Sequence, residues 1–299
     1  MLLHAYTNGN TKVTIFDDGT KERVYDETPL PVHPESLDVK ITNYCDLGCA
    51  FCHEQSTKSG QHADITALCN VLSPLPAGVE IAIGGGNPLS HPQLLSLLQA
   101  LKIQGLIANI TINERHIKPY FNLIQSLITN KFVHGVGLSQ KSKTYLEDIK
   151  SVLTLSDNVV IHQIVGINNV DDIDGLISVC SDVGKQCKIL ALGYKQFGFG
   201  INYYDKNKSV EENKFGWYTK LPLYFKRSGV TLSFDNLAIQ QLNLQRFFSK
   251  ESWNRFYMGD DFIFTMYIDA VKKQLAASST ATNRVPFSRG LLNYFQEKK

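Results

Sequence analysis

The 299-residue chain has no apolar run approaching the roughly 20 residues that a bilayer-crossing helix needs. A helical membrane anchor is thereby excluded, and a cytoplasmic protein with no membrane partner is the expectation. The start, MLLHAYTNGN, lacks the basic region and long apolar core of an export signal. Charge of one sign is missing too: 30 basic residues face 28 acidic ones. That balance leaves no electrostatic footprint for a nucleic acid, so such a partner remains possible but is unsupported by charge. Cysteine is sparse and unevenly placed, at positions 45, 49, 52, 69, 180 and 187. Nothing after Cys187 can offer a thiolate to a metal.

What is present concentrates in residues 38–53, DVKITNYCDLGCAFCH, where an alternating apolar run feeds three closely spaced cysteines. Cys45, Cys49 and Cys52 on one short loop can curl round one corner of an iron-sulfur cube. Such clusters are normally held by four thiolates, so three leave one iron open to an outside ligand. Two other readings of the loop stand beside this one. Cys49 to His53 also matches the C-x-x-C-H pattern of covalent haem attachment, which would require export. Cys45, Cys49, Cys52 and His53 could alternatively staple a non-catalytic binding module around zinc, although zinc sites usually join two separate knuckles.

The spacing C-x3-C-x2-C, with Phe51 just before the last cysteine, resembles the radical S-adenosylmethionine (radical SAM) enzymes. The resemblance covers about residues 37–193. It implies a [4Fe-4S] cluster on Cys45, Cys49 and Cys52, with S-adenosylmethionine on the open iron and an electron donor such as flavodoxin or ferredoxin. Reductive cleavage would then give a 5'-deoxyadenosyl radical that takes hydrogen from a substrate. Phe51 would lie against the adenosine. The run Ile83-Gly84-Gly85-Gly86-Asn87-Pro88 is similar to the family's Gly-Gly-Glu-Pro motif, which implies that Gly85, Gly86 and Asn87 receive the SAM amino group. Here Asn87 stands in place of the glutamate, and its amide accepts without the help of a full charge. Ser139 falls where the family often places a polar group on the ribose or the SAM carboxylate. Asn113 and Gln163 end or lie within strands, and each reads equally as a cofactor or substrate contact, a cap, or a satisfied interior group. His162 must face opposite to Gln163.

Apolar runs of strand type alternate with amphipathic segments along the middle of the chain. Strands are expected over 37–41, 79–83, 107–112, 133–138, 159–165, 188–192 and 230–234, with helices over 63–72, 92–101, 117–128, 143–155 and 171–183. This pattern predicts an α/β fold, and the resemblance makes it a partial (βα)6 TIM-like barrel with its chemistry at the C-terminal strand ends. An N-terminal β-hairpin over 11–25, turning at Asp17-Asp18-Gly19, and a C-terminal α+β extension complete the outline. The expected divisions are 1–36 (hairpin and linker), 37–200 (core) and 201–299 (extension, with the substrate-binding region). The aromatic and glycine-rich stretch after Gly193 reads either as a loop over the site, with Tyr194, Lys195 or Tyr203 touching substrate, or as a surface loop docked by its aromatics. Cys69 and Cys180 fall on apolar helix stripes and Cys187 begins a strand at the far end, so none is placed to donate a hydrogen atom.

The strand, turn and strand outline of 257–277 is similar to the first hairpin of the cluster-binding extensions in peptide-modifying relatives. Ala276 and Ala277 fall near where a cysteine would be expected. The polar run 278–284 reads as a solvated loop or as a binder of an anionic or amide group. A peptide or protein residue is accordingly the leading substrate, ahead of a small molecule such as a nucleoside or nucleotide, or a nucleic-acid base. An activase that plants a glycyl radical on a partner enzyme is a further option.

Overall fold

The structure is a computed structural model, and it describes residues 1–297. Its first three strands, β1 (Leu2–Asn8), β2 (Thr11–Phe16) and β3 (Lys21–Val24), form a small antiparallel sheet in that order. The expected hairpin is β2–β3, turning where Gly19 adopts φ +85° and Asp18 accepts from the Thr20 amide at 2.9 Å. The additional strand β1 was not expected. It pairs with the edge of β2 opposite β3, and Val13 and Ile15 of that central strand are wholly covered.

The second sheet has ten strands: β4 (Ser36–Thr42), β5 (Glu80–Gly85), β6 (Ile107–Asn113), β7 (Gly135–Ser139), β8 (Val159–Ile164), β9 (Cys187–Leu192), β10 (Val230–Phe234), β11 (Thr265–Asp269), β12 (Gln274–Ala276) and β13 (Arg284–Pro286). Their spatial order is β10-β9-β8-β7-β6-β5-β4-β11-β12-β13. Every pairing from β10 through β11 is parallel, and β12 and β13 then add antiparallel. The fold is therefore α/β around a mainly parallel sheet. The C-terminal segment contributes strands to both edges of that sheet.

Strand alternation decides what faces the helices. In β4 the odd residues Leu37, Val39 and Ile41 are buried in the core, and so are Ile81 and Ile83 in β5. They meet helices whose apolar residues recur every three to four positions, such as Leu94, Leu97, Leu98 and Leu101 of helix Leu94–Gln104. That helix stops at Gly105, whose φ of +77° suits glycine. Helix Ile65–Leu72 begins at Asp64, which accepts from the Ala67 amide at 3.1 Å. Each such core side chain contributes about 1.5–3 kcal/mol through burial. With the apolar parity spent on the helices, Asp38, Lys40, Thr111, Asn113 and Ser139 project from the other face of the sheet.

The small sheet sits at the N-terminal end of these strands. Lys21 pairs with Glu80, Arg23 Nε with Glu35 at 2.8 Å, and Lys188 Nζ donates to the Asp18 carbonyl at 3.0 Å. The opposite, C-terminal strand ends are left to the loops.

Candidate active site

One pocket lies at those C-terminal ends. Its wall takes Cys45, Cys49, Phe51 and Cys52 from the loop after β4, Gly84 to Gly86 from β5, and Thr111 to Asn113 from β6. Ser139, Gln140 and Lys141 follow from β7, His162 and Ile164 from β8, and Leu192 to Lys195 from β9. Six successive strands thus deliver their ends to one cavity.

The cysteine loop is tied down by its backbone. Cys45 N donates to Thr57 O at 2.9 Å, Thr57 N to Asn43 O at 3.1 Å, and Cys52 N to Cys49 O at 3.1 Å. Below the loop lies a buried charge network. Lys40 Nζ sits 2.7 Å from Glu54 and 3.1 Å from Asp269 on β11, while the Tyr267 hydroxyl donates to Glu54 at 2.9 Å. Arg284 approaches Asp269 at 3.5 Å and lies over the Tyr267 ring. Burial alone would push the Glu54 carboxyl up, but His53 and the Lys40 ammonium outweigh it and hold it well below the carboxylate range. Charges taken from water need such partners, so the C-terminal strand β11 fixes the loop that carries the cysteines.

The thiols of Cys45 and Cys49 are pushed up, first by burial and then by the negative charge their neighbouring thiolates would carry. Lys141 and Arg115 oppose this at Cys49. Three soft sulfur donors that repel one another as anions suit a cationic metal centre, whose charge removes the repulsion.

The glycine run also fits a ligand. A side chain on Gly85 (φ +116°) would come within 2.4 Å of the Thr42 carbonyl, and one on Gly86 within 2.1 Å of the Tyr44 carbonyl. At Gly84 a Cβ would meet nothing within 4 Å. Gly85 and Gly86 are required by close packing against the end of β4 and the residues just after it, whereas Gly84 keeps pocket space open. The donor set and this open cradle fit an iron-sulfur cluster with a ligand beside it.

Of the sequence-expected residues, Cys45, Cys49, Cys52, Phe51, Gly85, Gly86, Asn113 and Ser139 are brought together here. Asn113 also caps the following turn, accepting from Arg115 N at 3.0 Å. Asn87 is wholly buried behind the wall. Its backbone amide is fixed to Tyr44 O at 2.7 Å, and neither atom of its side-chain amide makes a well-formed hydrogen bond. Gln163 stands off the pocket. It shares the helix-facing side of β8 with Val159 and Ile161 and donates to Gln140 Oε1, so His162, on the same face as Ile164, lines the cavity instead. The sequence could not set this parity, because VVIHQIV carries apolar residues on both faces. Burial, reinforced by Lys195, depresses the His162 imidazole to about 4.

Gln140, Lys141 and Asn168 were not expected. Lys141 Nζ lies 4.9 Å over the Phe51 ring, and Asn168 donates to Gln140 O at 2.9 Å. Thr111 was legible in principle, as it shares a face with Asn113. Tyr194 and Lys195 line the pocket, and Tyr203 packs edge-on against Phe51. The segment after Lys195, expected as loop, forms helix Phe199–Lys206. Gly198 (φ +55°) lets it press on the cysteine loop, where Phe199 N donates to Cys52 O at 3.1 Å, a partner no local sequence reveals. The run 278–284 is held against the site by Lys195 Nζ to Ser279 Oγ (2.8 Å) and braced internally by Arg284 Nη2 to Ser279 O (2.8 Å). Cys180 and Cys187 are buried against each other away from the pocket.

Comparison with known proteins fits this picture. No family model matches the chain. A probable GTP 3',8-cyclase of Methanothermobacter thermautotrophicus is 26% identical over 180 residues, covering 52% of this chain and 57% of that protein. Among solved structures, SuiB of Streptococcus suis bound to the precursor peptide SuiA superposes with a TM-score of 0.62 at 17% identity, covering 89% of this chain and 65% of that one. SuiB bound to S-adenosylmethionine gives 0.61 at 14% identity, over 89% and 66%. The chain thus spans just under two thirds of the SuiB chain and rather less of the cyclase. Among the described residues no helix is long and apolar enough to cross a membrane.

Proposed function

Taking this chain as a member of the radical SAM superfamily, we propose that it uses one [4Fe-4S] cluster and SAM to abstract hydrogen from a peptide or protein residue. The carrying observation is that three thiols and an open glycine cradle converge on one pocket at the strand ends. When bound, cluster and SAM supply one-electron cleavage of the sulfonium and a 5'-deoxyadenosyl radical. The chain's own residues do the rest. Cys45, Cys49 and Cys52 hold the metal, and the Phe51 ring, fixed between Lys141 and Tyr203, offers a flat face to adenine. Asn113 and Ser139 supply polar groups at adjacent strand ends, in register with each other across β6 and β7. Tyr194 and Lys195 line the side proposed for substrate, with the Ser279 turn tied to Lys195 there.

The six strand ends round one cavity support reading the sheet as the curved wall of a partial (βα)6 barrel, with 1–36 closing its far end and 201–299 carrying the substrate region. A peptide substrate draws support from the β11–β12 hairpin, from Ala276 and Ala277 at the positions discussed above, and from the fold likeness to an enzyme bound to its precursor peptide. A nucleotide is the second reading, favoured by the sequence likeness to a probable GTP cyclase. A small electron-transfer protein such as flavodoxin or ferredoxin would supply the electron.

Anaerobic reconstitution tests the proposal. The expected outcome is about four iron per chain, broad visible absorption, and 5'-deoxyadenosine from SAM under reductant. Deuterium carried from labelled peptide or from labelled GTP into 5'-deoxyadenosine separates the two substrate readings. A colourless protein that binds zinc refutes the radical reading altogether.

A further inference from the structure

A second feature lies next to Cys45, beside the pocket wall. The Cys45 sulfur, a carboxylate oxygen of Asp46 and a ring nitrogen of His116 lie within 4.8 Å of one another. His116 is 2% exposed, and its Nε2 donates to Asp46 Oδ1 at 2.8 Å, which leaves its buried Nδ1 without a partner. The fully buried Asn87 amide lies behind the loop, and neither its nitrogen nor its oxygen makes a well-formed hydrogen bond. Asp46 is thus held by one buried side chain, His116, brought from the end of β6. Its side chain keeps 41% exposure, and among the described residues no lysine or arginine pairs with it. A carboxylate so held, beside a metal-binding thiol and lacking a cation, is suited to a small cationic group.

SAM carries such a group in its α-ammonium. We propose that Asp46 is the anionic contact for that ammonium, with His116 as its positioning residue. The inference rests on the radical SAM reading above. It moves the expected ammonium contact from position 87 to position 46. The physical ground is that Asn87 is uncharged and fully covered, whereas Asp46 is charged and accessible. Hydrogen bonds to charged groups are the stronger class, and losing one weakens binding by tenfold or more.

The test measures equilibrium binding to reconstituted wild type and Asp46→Asn, with iron and sulfide assayed in both. The two ligands are SAM and the same sulfonium compound with hydrogen in place of the amino group. The expected result is unchanged iron, SAM affinity reduced about tenfold or more in Asp46→Asn, and equal affinity of both proteins for the deaminated compound. If wild type binds SAM and Asp46→Asn binds it equally well, this inference falls while the proposed function stands. Loss of iron in Asp46→Asn, or equal weakening for both ligands, also overturns it by making the residue a support of the loop. A wild-type protein that takes up no cluster and no SAM overturns both.

Discussion

Replacing Gly84 by alanine separates a ligand cradle from a packing requirement, because its neighbours Gly85 and Gly86 provide internal controls. At Gly84 the added Cβ has no neighbour within 4 Å and the backbone needs no positive φ. The folded state then loses nothing, and the unfolded chain loses freedom, so stability should hold or rise by up to about 1 kcal/mol. At Gly85 the φ of +116° costs an alanine roughly 1–3 kcal/mol. The 2.4 Å approach to the Thr42 carbonyl adds a shift of β4 itself. Gly86→Ala meets backbone closer still. Thermal unfolding of the cluster-free proteins reads this ordering, at roughly 2–4 °C per kcal/mol for domains of around 200 residues. SAM binding after reconstitution should show the reverse for Gly84→Ala: a methyl group in occupied space costs about 1–3 kcal/mol, or roughly 5- to 150-fold in affinity. Gly84→Ala binding SAM as wild type does, or melting as low as Gly85→Ala, would refute the assignment of that space to a ligand.

Cys49→Ala should lose both iron and SAM cleavage, whereas Cys187→Ala, buried against Cys180 away from the pocket, should keep both by iron assay and 5'-deoxyadenosine yield. Glu54→Gln weakens the support of Lys40. Since Asp269 remains, a loss of up to about 3 kcal/mol by urea unfolding is expected, the lower bound for broken buried pairs. Because the folded Glu54 carboxyl lies below its unfolded value, its contribution is complete above about pH 4–5 and fades as pH falls further. The acid limb of the stability profile should therefore flatten in Glu54→Gln. Glu114 behaves oppositely: burial raises its carboxyl to about 7, even though it accepts from Ser142 N at 3.0 Å. Its effect on stability is most favourable below about pH 4 and declines as pH rises to 7. Glu114→Gln should gain on wild type between pH 5 and 8, and a constant difference across that range would count against the buried placement.

The cysteine spacing, the glycine run and the alternation of strand and helix patterns are local, and sequence alone carried them. Thiolate spacing fixes which metal corner can be held, and an apolar face every second or every third to fourth residue fixes which elements form. These were enough for an α/β chain with its candidate site after the first strand of the large sheet. The parity of β8 was beyond reach, because apolar residues occupy both sides of VVIHQIV, and only packing against the helices placed His162 in the pocket and Gln163 behind it. The same holds for contacts across the fold. Nothing local joins Lys40 to Asp269, Asp46 to His116, or Phe199 to Cys52. The first pair faces across the neighbouring strands β4 and β11, while the other two join segments that follow strands not adjacent in the sheet, and such juxtapositions are properties of the tertiary structure.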